Sequence, residues 1–178
     1  MTRILIQKLI VILLILSCNS AISKEPVKFI QEITVQASQI LKKNIDKSEK
    51  MNQLISLAES NVDIKGIGRY SLGKHRKGIS EKQLEEYEKL FYNYFLKSFS
   101  SRLSEYSDPK INVLSQQYMN EKYTIVSSVL VGDEKRPEIN IDWRVYTKNP
   151  EIPLIRDLII EGLSLARTQR EEFNSVIQ

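Results

Sequence analysis

The spacing of apolar residues changes from a helical to a strand period near residue 110, and that change limits what the chain can fold into. Before it, apolar side chains recur at steps of three and four, as on a helix with one buried face. After it they alternate, as on a strand with one buried face, until about residue 160. Residues 163–177 return to the helical step. Helices first, strands next and a closing helix define an α+β chain rather than a parallel α/β one.

The helical half divides further. Phe29, Ile30, Ile33, Ala37, Ile40 and Leu41 form one apolar face in a helix that Pro26 opens and Lys42 and Lys43 close. Met51, Leu54, Ile55 and Ala58 mark a second helix at 49–59. The stretch 62–72 predicts a third, weakened by Gly66 and Gly68, each costing roughly 1 kcal/mol against Ala. Close packing against a neighbour would justify both glycines. Ser80-Glu81-Lys82-Gln83 is a capping box, and behind it Leu84, Tyr87, Phe91, Phe95, Phe99 and Leu103 run to a helix end near Tyr106. Strands are expected at 111–117, 123–131, 138–147 and 154–160, with Gly162 closing the last. Their short links predict a four-stranded antiparallel sheet.

Residues 1–23 are of another kind. Arg3 and Lys8 precede an unbroken apolar run from Leu9 to Leu16, then Ser17, Cys18, Asn19, Ser20 and Ala21. A basic start, a short apolar stretch and small residues at the cut make a cleaved export signal, leaving one domain at 24–178. The run is short for a membrane span, which needs about 20 residues. Cys18 leaves lipidation open as an alternative. Without Arg3 and Lys8 the 26 basic residues become 24 against 22 acidic, a net +2. Export removes nucleic acid from the expected partners and points to the periplasm.

Composition closes off other chemistry. One Cys and one His exclude a disulfide scaffold and a multi-histidine or multi-cysteine metal site. There is no phosphate-cradling glycine loop and no nucleophile motif. His75 lies within the basic run Lys74-His75-Arg76-Lys77 without an assignable orienting partner, so it is expected to be structural or solvated. Glu85, Glu86, Glu171 and Glu172 are expected on solvated helix faces. The aromatic stripe of the long helix suits a packed core or the wall of an apolar cavity equally well.

Four ordered blocks carry a resemblance. Asp63 to Gly73 is similar to a D-x-x-x-x-A-R-x-x-L-G helix, with Gly68 where Ala is common. Glu81 to Tyr106 resembles a helix with aromatic residues every fourth position. Ile139-Asn-Ile-Asp-Trp-Arg-Val145 resembles a strand with a W-R-V core. Arg156-Asp-Leu-Ile-Ile-Glu-Gly-Leu-Ser164, followed by Arg170-Glu-Glu-Phe173, resembles a D-V-I-x-E-G-V-S strand end and an R-x-E-F helix. Together they resemble the MlaC family of periplasmic lipid-asymmetry, or toluene-tolerance, proteins.

The resemblance implies a phospholipid carrier without catalysis or a cofactor, the lipid being cargo. Its sheet and helices would enclose an apolar cavity. Its partners would be an inner-membrane ABC transporter complex with a ring-forming lipid-binding subunit, and an outer-membrane lipoprotein–porin complex. It would work as a monomer and maintain outer-membrane lipid asymmetry. By pattern, Tyr87, Phe91, Phe95 and Phe99 of the long helix would face the sheet and form one wall. Val113, Ile125, Val129, Ile141, Trp143, Val145, Leu158 and Ile160 would form the other, with Leu163 after the strand-ending glycine. Arg69, Arg144 and Glu161 are expected to be structural polar partners. Two rival readings remain: an enzyme on a nuclear-transport-factor-like cone, using Tyr118, Tyr123 or Asp142, and an envelope interaction protein.

Overall fold

The computed structural model describes residues 25–132 and 137–177; the expected export signal and Cys18 lie outside them. The helical half contains α1 (Pro26–Lys42), α2 (Lys47–Asn61), α3 (Ile64–Ser71), a 3₁₀ turn (Gly73–Lys77) and α4 (Glu81–Leu103). The sheet follows as β1 (Ile111–Asn120), β2 (Tyr123–Leu130), β3 (Ile139–Tyr146), β4 (Leu154–Ile160) and β5 (Leu163–Ser164), and α5 (Leu165–Val176) ends it. The α+β class is the one the periodicity implies. The sheet has one strand more than expected, because the chain turns at Glu161 and Gly162, φ 48° and 80°, and pairs two further residues with β4.

α1 opens on Pro26 without a side-chain cap, whereas α2 to α5 each start where a side chain satisfies a free N–H group. Asp46 accepts from the Glu49 N–H at 2.8 Å, and Asp63 from the Gly66 N–H at 2.8 Å. The capping box at α4 forms in both directions: Ser80 Oγ accepts from the Gln83 N–H, and Gln83 Oε1 accepts from the Ser80 N–H. α4 ends at Leu103, three residues before Tyr106, with the Ser104 N–H still bonded to the Ser100 carbonyl.

The strands form an antiparallel meander in chain order, bulged between Val113 and Ser115, between Tyr118 and Asn120, and opposite Arg144–Val145. Register decides the faces, since directly paired residues share one. Val126 pairs with Trp143 and Ser128 with Ile141, whereas Ile125 pairs with Arg144 and Val129 with Asn140. This corrects the expected placement of Ile125 and Val129 beside Trp143: they lie on the opposite face. Alternation misled because polar residues occupy the core face of β2. Ser128 Oγ accepts from the Trp143 indole N–H at 2.8 Å and donates to the Ile141 carbonyl at 3.0 Å. Those bonds remove the cost of burying both groups.

α1 covers the Trp143 face. Phe29, Ile30 and Ile33 pack on Val126, Ile141, Trp143, Val145 and Ile155, and several of these exclude water completely. Each such side chain contributes about 1.5–3 kcal/mol on burial. α3 and α5 lie against the other face, through the contacts of Asp63 with Arg156 and of Asp157 with the start of α5. α4 packs chiefly on α2 and α3. Its stripe therefore differs from the expected one: Phe91 and Leu96 bury against Ala58, Ile64 and Ile67, with Tyr87, Phe95, Phe99 and Phe173 around them. Val62 touches both clusters and joins them.

Gly68 sets how close α3 and α4 come. A Cβ there would stand 2.7 Å from Phe91 Cδ1, and Phe91 is buried. Gly68→Ala gains about 1 kcal/mol of helix propensity but overpacks the contact by roughly 1–3 kcal/mol. A net loss in urea-derived stability is expected, with recovery in the double variant Gly68→Ala/Phe91→Leu.

The hydroxyl of Tyr87 donates to the Gly68 carbonyl at 3.1 Å across the same contact. Burial, opposed weakly by Ser71, pushes its pKa up to about 12. The neutral phenol is thus favoured in the fold. Its contribution is complete below the unfolded value near 10 and disappears as pH rises through about 12. Tyr87→Phe should lose less stability than the parent between those two pH values in alkaline unfolding curves.

Candidate functional site

Two polar clamps hold α5 and α3 on the Arg144 face. Asp157, at 3% exposure, accepts from Ser164 Oγ at 2.6 Å and from the Ala166 N–H at 2.9 Å, with Arg144 Nη1 at 3.4 Å. Ser164 also caps α5 by accepting from the Arg167 N–H. A carboxylate at the first turn complements the positive end of the helix. The spacing from Asp157 to Ser164 in the fourth block thus has a physical cause: one residue leaves β4, the chain turns at Gly162, and the other returns to meet it.

Asp63 makes the second clamp. Its Oδ2 lies 2.6 Å from Arg156 Nε and 2.5 Å from Nη2. Arg156 also donates to Tyr123 Oη at 2.7 Å and lies 4.2 Å from the centre of the Tyr146 ring. Burial alone would lower the pKa of Arg156, but its bonds to Asp63 and Tyr123 outweigh that and hold it above the ordinary value. Val62 pairs with Ile155 along the edge of β4, so the chain is tied to the sheet two residues before α3 begins. Gly66 is required here, because a Cβ would fall 2.4 Å from Asp63 Oδ2 and 2.9 Å from Arg156 Nε.

The apolar residues chosen from the spacing divide into three groups. Tyr87, Phe91, Phe95 and Phe99 form a ladder on α4 with successive ring centres 5.9, 6.1 and 5.8 Å apart, and Phe173 meets Tyr87 and Phe91 edge-on. Val113, Ile141, Trp143, Val145, Leu158 and Ile160 share the sheet face under α1. Ile125 and Val129 lie on the reverse face.

Leu163 completes a line the sequence did not reveal. Val113, Ser128, Ile141, Ile160 and Leu163 are paired directly, one after another, across all five strands. Ile111, Leu130 and Ile139 form the next row outward. Cover declines along the main row: Ile141 is buried, Ile160 half-buried and Leu163 69% exposed. The packed core beneath α1 thus runs out into an open apolar margin.

Two clefts open on the other side. One, of about 310 Å³, lies between Ile67, Tyr70 and Ala166 and the sheet residues Met119, Tyr123, Arg144 and Arg156. The second, of about 430 Å³, lies beside it around Asp63, Lys65, Arg69, Arg76 and Arg156. Neither is lined by a residue chosen from the spacing as an apolar wall. Arg69, Arg144 and Glu161 all have intramolecular partners: Glu88, Asp157 and the Asn140 N–H. Tyr118, Tyr123 and Asp142 are not brought together. Tyr118 is exposed on the Trp143 side, Tyr123 holds Arg156, and Asp142 accepts from Ser127 Oγ at 2.6 Å. Asp63, Arg156, Asp157 and Ser164 stood in the resembling blocks but were not chosen as site residues, although a charged pair inside the apolar strand 154–160 was a legible anomaly.

The bulged antiparallel meander, with helices on both faces and an apolar margin exposed at one end, is an α+β fold. The family model described as MlaC protein matches residues 31–178, and the chain belongs to the MlaC family. Among solved structures, the chain is similar to the phospholipid-binding protein from Ralstonia solanacearum in complex with a phospholipid. The two share 16% identity and a TM-score of 0.71, over 86% of this chain and 88% of that one. No curated protein matches the sequence.

Proposed function

We propose that this chain is a periplasmic phospholipid carrier. It shuttles lipid between an inner-membrane ABC transporter complex and an outer-membrane lipoprotein–porin complex, so maintaining outer-membrane lipid asymmetry. The observation that carries the reading is the paired apolar row ending open at Leu163, in a chain of the MlaC family. The solved protein of like fold holding a phospholipid supports it.

The physical requirement is severe. Each methylene left in water costs about 0.8 kcal/mol, so two acyl chains with roughly 30 methylenes cost on the order of 20 kcal/mol without cover. Both tails need apolar walls and a space on the order of 1,000 Å³, at the upper end of ordinary ligand pockets. The tails lie along the row from Ile141 to Leu163, with Ile111, Leu130 and Ile139 beside them. Loading widens the space between this margin and α1. Sheltering the tails needs no reacting group.

Transfer tests the carrier step. Mature protein loaded with a fluorescent phospholipid should deliver it to vesicles bearing the reconstituted transporter complex faster than to bare vesicles. Equal rates would contradict the partner assignment. Cell fractionation should place the processed chain in the periplasm; an unprocessed, membrane-bound chain would contradict the export signal.

A further inference from the structure

The larger cleft on the Arg144 face lies on the side of the sheet opposite the apolar row that ends at Leu163. Lys65, Arg69, Arg76 and Arg156 surround it, with Asp63 as the acid among its walls. A net charge of only +2 for the chain without Arg3 and Lys8 makes this concentration of cations notable. We propose that the cleft is a binding site for a phosphate-type oxyanion, a phosphomonoester or phosphodiester group, held by Lys65, Arg69 and Arg76 above a fixed Arg156.

The cations are positioned before any ligand arrives. Lys65 and Arg69 are one turn apart on α3 and share a face. Glu88 on α4 anchors both, with Lys65 Nζ at 3.0 Å and Arg69 Nε at 2.5 Å. The contact on Arg69 is at Nε, which leaves the outer edge of the guanidinium outside that pair. Burial raises the pKa of Glu88, but the bonds from Arg69 and Lys65 outweigh it and hold the carboxyl below its ordinary value.

Arg76 enters from the 3₁₀ turn, is exposed, and pairs with no acidic side chain among the described residues. Asp63 is committed to Arg156 and to the cap of α3, so its charge is already compensated. Arg156 is fixed from three sides by Asp63, Tyr123 and Tyr146. Guanidinium groups in such a setting bind phosphate oxygens through paired, charge-assisted hydrogen bonds. A cleft of about 430 Å³ accommodates one phosphate and its substituent.

The same chemistry is offered by a lipid head group at a membrane surface and by a free phosphate ester. Isotope-labelled mature protein is titrated with inorganic phosphate, with chloride at equal ionic strength as control, and amide shifts are followed at Lys65, Gly66, Arg69 and Arg76. Saturable shifts with phosphate alone are expected, weakened about tenfold or more in Arg76→Glu as the bidentate partner is lost. Arg76→Lys should recover part of the affinity, and unfolding temperatures should be unchanged.

Sedimentation with vesicles then separates the sources. Capture by phosphatidylglycerol but not phosphatidylcholine vesicles, competed by phosphate, identifies a head group; phosphate shifts without capture identify a free ester. Absence of saturable shifts, or equal binding by Arg76→Glu, overturns the proposal. Co-purifying lipid is measured on the same samples. Lipid retained while phosphate fails removes only this proposal and leaves the carrier reading standing.

Discussion

Replacing Leu163 by glutamate is expected to leave the protein folded and to strip it of co-purifying lipid. At 69% exposure the side chain contributes little to the free protein, so its loss should change stability by less than about 0.5 kcal/mol. In the carrier it is the outermost member of the row through Ile160, Ile141 and Val113. A carboxylate there must lose its water against an acyl chain, which costs several kcal/mol unless it is paired. Lipid content should fall at least about tenfold, the equivalent of roughly 1.4 kcal/mol. Phosphorus analysis of the purified variant, beside a urea curve, checks both halves. Full lipid content would remove Leu163 from the wall. A companion variant, Val129→Glu, lies on the reverse face and is buried, so it should lower stability rather than selectively empty the protein.

Asp157→Ala is expected to cause the largest loss of stability. The carboxylate is nearly inaccessible, and its removal leaves the Ala166 N–H, the Ser164 hydroxyl and Arg144 without their acceptor. Breaking one side of a buried charged network costs about 3–5 kcal/mol, and the partial exposure of Arg144 places the expectation near the lower end. The urea midpoint should fall accordingly, with α5 the first element to lose hydrogen-exchange protection. Asp157→Asn, which retains one acceptor oxygen, should lose less. A loss below about 1 kcal/mol would mean that packing, rather than the clamp, fixes the end of the chain. Both Asp157 variants should also release lipid, because β5 carries Leu163; unlike Leu163→Glu, they should do so with a loss of stability.

Much of the architecture was legible because it rests on local signals. The period change located the boundary between helices and sheet, and the Ser80–Gln83 box located the start of α4. Faces were harder. On β2 an unbroken apolar and hydroxylic run gives no strong alternation, and a shift of one residue exchanges the sides of the sheet. Ser128 is buried because Trp143 needs an acceptor, a requirement that exists only once the two strands pair. The destination of the α4 stripe was equally non-local. It depends on Gly68 admitting Phe91, while the periodicity states only that one face is apolar. The clamps of Asp63 on Arg156 and Asp157 on Ser164 join segments whose meeting follows from topology. The row ending at Leu163 depends on a two-residue strand too short to show a period.

The most direct test of the carrier account is mass spectrometry of an organic extract from the mature protein, purified natively without detergent. The account predicts diacyl phospholipid in near-equimolar amount with the chain. A folded protein whose extract holds no such lipid, and which takes none up from vesicles, would contradict it.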